Sequence, residues 1–135
     1  PSKQITVFSN RGLAGIDGLI STAAGIALNT PGMTRAIIGD LTAIHDLGGM
    51  NLTELNLKNL QLWVVNDSGG KIFEQLELRQ ETTPEVFDKY FQTPQQINFE
   101  KIAQAMGWGY ELANSEQDIE QFLDIEGPVF IEIRL

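Results

Sequence analysis

Asp40 closes an apolar run, Arg35-Ala36-Ile37-Ile38-Gly39-Asp40, and Asp67 closes a second one 27 residues later, Leu62-Trp63-Val64-Val65-Asn66-Asp67, followed by Ser68-Gly69-Gly70. A short apolar run bounded by loop formers reads as a buried strand, so each carboxylate falls where a strand gives way to a loop. The residues between the runs suit one helical crossover. Such a crossover returns the chain in the same direction and leaves both strand ends on one edge of a parallel sheet. Open α/β sheets bind ligands at that edge. A hard cation wants oxygen ligands, and Asp40, Asp67 and the backbone carbonyl of Gly69 offer an oxygen cage for Mg²⁺ carrying a phosphorylated ligand. The plainer alternative for each aspartate is a helix cap.

Other residues carry weaker signals. Gly12, Gly15 and Gly18 follow the pattern G-x-x-G-x-x-G, which departs from the dinucleotide fingerprint G-x-G-x-x-G at its first spacing. They suit a loop that enters a helix tightly, on the same sheet edge as Asp40. Arg11 is the cation of that loop, either a solvated surface arginine or a fork for a carboxylate or phosphate. His45 is the sole histidine and precedes Asp46, but adjacent helical residues point different ways, which favours a structural role over a catalytic pair. No Ser-His-Asp, zinc or P-loop pattern is present, and Asp40-Leu41-Thr42 lacks the second carboxylate of a D-x-D phosphatase.

Composition bounds the partners. A chain of 135 residues is one domain able to bury a core. A net charge of −9 argues against nucleic acid or an anionic membrane as partner. With nine Lys and Arg, a metal and helix N-termini would have to neutralise most of a diphosphate. Zero cysteines exclude disulfides and thiolate metal sites and fit a cytoplasmic protein. No apolar stretch approaches the roughly 20 residues that span a bilayer. The start at Pro1 suggests the C-terminal domain of something longer.

The elements that must hold these residues alternate along the chain. Strands are predicted at Gln4 to Phe8, Thr34 to Gly39, Leu62 to Asn66, Gly109 to Ala113 and Pro128 to Arg134. Helices are predicted at Leu19 to Leu28 with Asp17 as N-cap, in one or two pieces between Leu41 and Leu60 with a break near Gly48-Gly49, at Phe99 to Met106, and at Ser115 to Leu123. The last opens on a capping box, Ser115-Glu116-Gln117-Asp118. Residues 68–98 form a long polar excursion with a short helix near Pro84 to Tyr90, and long excursions in compact domains are often functional. This alternation predicts a three-layer α/β/α domain with a mainly parallel sheet.

The pairing of Gly39-Asp40 with Asn66-Asp67-x-Gly69 resembles the diphosphate-binding motif of thiamine diphosphate enzymes, in which Gly-Asp is followed some two dozen residues later by an Asn pair. The surrounding sequence resembles one subfamily, the MenD synthases (2-succinyl-5-enolpyruvyl-6-hydroxy-3-cyclohexene-1-carboxylate synthases of menaquinone biosynthesis). The residues that carry the likeness are Ser9-Asn10-Arg11-Gly12, Gly15-Ile16-Asp17-Gly18, Gly39-Asp40-Leu41-Thr42, His45-Asp46-Leu47, Gly69-Gly70-Lys71-Ile72-Phe73 and Phe91-Gln92-Thr93-Pro94. Together they extend over nearly the whole chain.

This resemblance implies the diphosphate-domain fold of those enzymes. It implies that Asp40, Asp67 and Gly69 hold Mg²⁺ or Mn²⁺, and that Gly39, Leu41 and Gly70 join them around thiamine diphosphate. Ile16 matches the bulky residue that props the cofactor in its bent shape. Asn10, Arg11, Ile72, Phe73 and Leu76 match positions around the substrate, with Arg11 assigned to carboxylates. Asp67 stands where many relatives have Asn, and Gln95 where this family is expected to have His. The implied enzyme is a transferase, a homodimer or homotetramer when full length, that decarboxylates 2-oxoglutarate and adds the succinyl-semialdehyde carbanion equivalent to isochorismate. Its activating glutamate belongs to the pyrimidine-binding domain of a neighbouring subunit, so no catalytic residue lies in this chain, which is expected to be inactive alone. A different thiamine diphosphate decarboxylase or synthase, or a non-catalytic binding domain of the same fold, are the alternatives.

Overall fold

The computed structural model describes residues 5–10, 12 and 15–135. Four strands form one sheet in which every neighbouring pair is parallel: β1 (Thr34–Gly39), β2 (Leu60–Asn66), β3 (Gly109–Ala113) and β4 (Val129–Arg134), in the order β1-β2-β4-β3. The last strand thus inserts between the second and third. Helix α1 (Leu19–Asn29) precedes β1, and α2 (Asp40–His45), α3 (Leu78–Glu81), α4 (Pro84–Phe87), α5 (Phe99–Ala105) and α6 (Glu116–Phe122) occupy the connections.

The pleat sorts side chains to two faces. Ile38, Leu62, Val64 and Phe130 meet Ile20, Ala23, Ala24 and Ala27 of α1 and Phe99 and Ala103 of α5 in the larger core. Small residues on α1 let that helix approach the sheet closely, and Phe99 stacks on Phe130 at 5.1 Å between ring centroids. On the opposite face Trp63, Val129 and Ile131 pack beneath Ile119 and Phe122 of α6. The sheet is therefore covered on both sides, as parallel sheets require, and the three-layer expectation holds. Cover on the α6 side stops short of edge strand β1, where Ile37 is 75% exposed.

Several local expectations need correction. The described part of the expected first strand, Ile5 to Phe8, pairs with no strand and is exposed. A cleft of about 830 Å³, lined in part by Ile5, Phe8, Ile26 and Ile37, lies beside β1 instead. Asp17 does not cap α1. Gly18 takes the N-cap position at φ 70°, without a side-chain cap bond, and the Asp46 carboxylate accepts from Ile20 N at 2.7 Å. The crossover between β1 and β2 contains only α2 as α-helix, followed by 3₁₀ turns at Leu47–Met50 and Thr53–Leu55. The capping box at α6 forms in its first half, with Ser115 Oγ accepting from Asp118 N at 3.2 Å, but its reciprocal bond lands one residue early, on Asn114 N at 2.8 Å. Among the described residues no helix is long and apolar enough to cross a membrane.

Candidate functional site

Parallel pairing of β1 with β2 places Gly39 beside Val65, so Asp40 and the Asn66-Asp67 pair leave the sheet next to each other at its carboxyl edge. Asp40 opens α2 and is 2% exposed. A buried carboxylate must find donors, and this one has two. Its Oδ1 accepts from Leu41 N at 2.7 Å, and its Oδ2 accepts from Gln95 Nε2 at 2.7 Å.

Asp67 is half-buried, and among the described residues no donor reaches its carboxylate. Gly69 is buried at φ 146°, a conformation reserved for glycine, and a Cβ there would lie 2.5 Å from the Gln92 carbonyl. Among the described residues no donor meets the Gly69 carbonyl either. Buried backbone acceptors are normally paired, so two of the three expected cage groups keep free oxygen capacity. No cluster of three or more His, Cys, Asp or Glu able to hold a metal occurs among the described residues. Two carboxylates and a carbonyl suit an ion that completes its shell with phosphate oxygens and water, as Mg²⁺ does. The residues present fit the group.

A hydrogen-bonded network beneath this edge was not foreseen. Asn66 Oδ1 accepts from Ser68 N and from Gln95 Nε2, both at 3.0 Å. Asn66 Nδ2 donates to Glu132 Oε1 at 2.7 Å. Glu132, 1% exposed on β4, also accepts from Tyr110 Oη at 2.5 Å and from Arg134 Nε at 2.7 Å. Burial alone would raise the Glu132 carboxyl. Hydrogen bonds from Arg134, Tyr110 and Asn66 outweigh it and hold the group below the usual carboxylate range. Burial, and then the bond to Glu132, push the Tyr110 phenol up. A lone Glu in Val-Phe-Ile-Glu-Ile-Arg was the sequence signal for this network.

The remaining candidates are dispersed. Ile16 is exposed in the turn before α1, and Asn10 lines a cleft of about 250 Å³ with Phe8 and Thr22. Ile72, Phe73 and Leu76 sit on or just after the 3₁₀ turn Lys71–Gln75 and are exposed, Ile72 to 79%. Arg11 lies outside the described residues. Neither of the two clefts beside β1 is lined by Asp40, Asp67 or Gly69.

A family model described as the thiamine pyrophosphate enzyme C-terminal TPP-binding domain matches residues 2–133. The chain belongs to that family. This TPP-binding domain is also similar to proteins named 2-succinyl-5-enolpyruvyl-6-hydroxy-3-cyclohexene-1-carboxylate synthase. It is 38% identical to that of Clavibacter michiganensis subsp. michiganensis, over 100% of this chain and 25% of the relative. It is 42% identical to that of Renibacterium salmoninarum, over 98% of this chain and 25% of the relative. Identity to the Dechloromonas aromatica protein is 45%, over 98% of this chain and 24% of the relative. The chain thus spans about a quarter of the length of these relatives.

Proposed function

We propose that this domain binds the diphosphate of TPP through Mg²⁺ or Mn²⁺ at Asp40, Asp67 and the Gly69 carbonyl, within a MenD-type synthase. The observation that carries this reading is the juxtaposition of Asp40 with Asn66-Asp67 at the ends of adjacent parallel strands, where the Asp67 carboxylate and Gly69 carbonyl lack protein donors among the described residues. Gly39, Leu41 and Gly70 would contribute backbone close to the diphosphate. Leu41 N is held by Asp40 Oδ1, which ties the start of α2 to the metal-binding carboxylate.

Ile16 would prop the cofactor, and Asn10, Arg11, Ile72, Phe73 and Leu76 would surround the substrate. Exposed apolar side chains at 72, 73 and 76 support that role, since they are available to exclude water from a bound ligand. When bound, TPP supplies the electron sink for decarboxylation and carbon–carbon bond formation. The names of the relatives support 2-oxoglutarate and isochorismate as substrates and a transferase reaction in menaquinone biosynthesis. An activating glutamate from the pyrimidine-binding domain of a neighbouring subunit would complete the site in a cytoplasmic homodimer or homotetramer. This chain by itself is then expected to be inactive.

The test is an amide NMR titration of the chain with TPP, with and without Mg²⁺. Metal-dependent shifts are expected at residues 39–41 and 66–70, and Asp40→Asn should abolish them. Shifts that ignore Mg²⁺, or that survive Asp40→Asn, would overturn the metal site at these aspartates.

A further inference from the structure

We propose that Gln95 is a latch, a positioning residue whose side-chain amide holds the 68–98 excursion against Asp40 and opposes a divalent cation binding there. The inference rests on the cation-site reading above and adds what opposes the cation. Gln95 Nε2 donates to Asp40 Oδ2 at 2.7 Å and to Asn66 Oδ1 at 3.0 Å. Its Oε1 accepts from Ile97 N at 2.7 Å. That third bond decides which end of the amide faces the carboxylate: it is the donor end, positive in sign. A cation at Asp40 Oδ2 would share that oxygen with the positive end of this N–H, and the two repel.

The excursion is built so that the latch matters. Its two ends form one neck: Gly70 N donates to Gln92 O at 2.5 Å, and Gln95 N donates to Ser68 O at 3.4 Å. Gly69, the carbonyl member of the cage, backs directly onto the Gln92 carbonyl. Beyond the neck, the Lys71–Gln75 turn contributes no buried side chain, and of α4 only Phe87 is buried. A segment with so little buried apolar contact lies at the low-stability end of a fold. Gln95 therefore joins the cage to a weakly held strap. An ion that draws on the Asp40 charge weakens this charge-assisted bond, and with it the neck. Coupling of this kind is reciprocal, so whatever loosens the strap tightens the ion and the ion loosens the strap.

The experiment titrates Mg²⁺, in the presence of TPP, into the full chain as wild type, Gln95→Ala and Asp40→Asn. Calorimetry reads affinity and hydrogen exchange reads residues 71–92. Gln95→Ala should bind Mg²⁺ about tenfold more tightly, since no amide then competes for Asp40. Exchange in the strap should rise with Mg²⁺ in the wild type and be fast without it in Gln95→Ala. Unchanged or weaker Mg²⁺ affinity in Gln95→Ala, alongside binding that Asp40→Asn abolishes, overturns the latch and leaves the site standing. Mg²⁺ binding by neither the wild type nor Gln95→Ala, or binding indifferent to Asp40→Asn, overturns the site itself and the latch with it.

Discussion

Asp46, next to the sole histidine, takes its role from what it reaches. Asp46 crosses to α1 and accepts from Ile20 N, meeting one of the orphan N–H groups that every helix start exposes. Its charge also lies at the favourable end of that helix's dipole. Asp46→Ala should therefore destabilise the fold by about 1–2 kcal/mol, read as a lower denaturation midpoint at unchanged m-value. The sequence marked Asp17 for this capping role because it precedes the helix locally. A tertiary cap 26 residues away leaves no trace in local spacing. Gln95 is similar: as a residue type it stood out only as a departure from a family pattern, and its bonds to Asp40 and Asn66 depend on a long excursion folding back.

Among the elements, the buried strands were the most legible, because β2 must lie between two covered faces and so reads as a continuous apolar run. The polar exceptions within the strands are the parts that tie elements together. Gln61 Nε2 donates to Phe122 O at 3.0 Å and to Ile125 O at 2.7 Å, anchoring the end of α6. Glu132 links β4 to β2 through Asn66 and to β3 through Tyr110. The Glu132 carboxyl is held below its ordinary range in the folded state, so the unfolded chain binds its proton more readily. The stabilisation from this ionised group is complete above about pH 5 and is lost as pH falls through the lowered value. Glu132→Gln should lower stability at pH 7 and flatten the acid limb of a pH–denaturation series. An unchanged acid slope would mean that other carboxylates govern it.

For the molecule as a whole, closure of the sheet depends on one close approach. β4 enters beside β2 after Gly127, whose N donates to Lys58 O at 2.6 Å. A Cβ at 127 would run into the Leu60 carbonyl oxygen, so backbone rather than a flexible side chain would have to move. Gly127→Ala should cost upwards of about 3 kcal/mol, seen as a thermal midpoint lowered by roughly 10 °C or more. Its effect should spread to the candidate site, because β4 also carries Glu132 and through it the Asn66 amide.

Apolar runs, turn residues and charge determine a good deal by themselves: four of the five expected strands, the covered parallel sheet, and the position of Asp40 and Asp67 at strand ends all follow from periodicity and from where glycine and aspartate interrupt it. These are local properties, and a chain shows them in one dimension. Only the tertiary structure decided that β4 lies between β2 and β3 and that Ile5 to Phe8 leaves β1 an edge. It alone brought Asn66, Glu132, Tyr110 and Gln95 into one network under the aspartates. The physical reason is shared: each of these depends on which distant groups satisfy a buried donor or acceptor, and that pairing is chosen by packing between elements rather than within them.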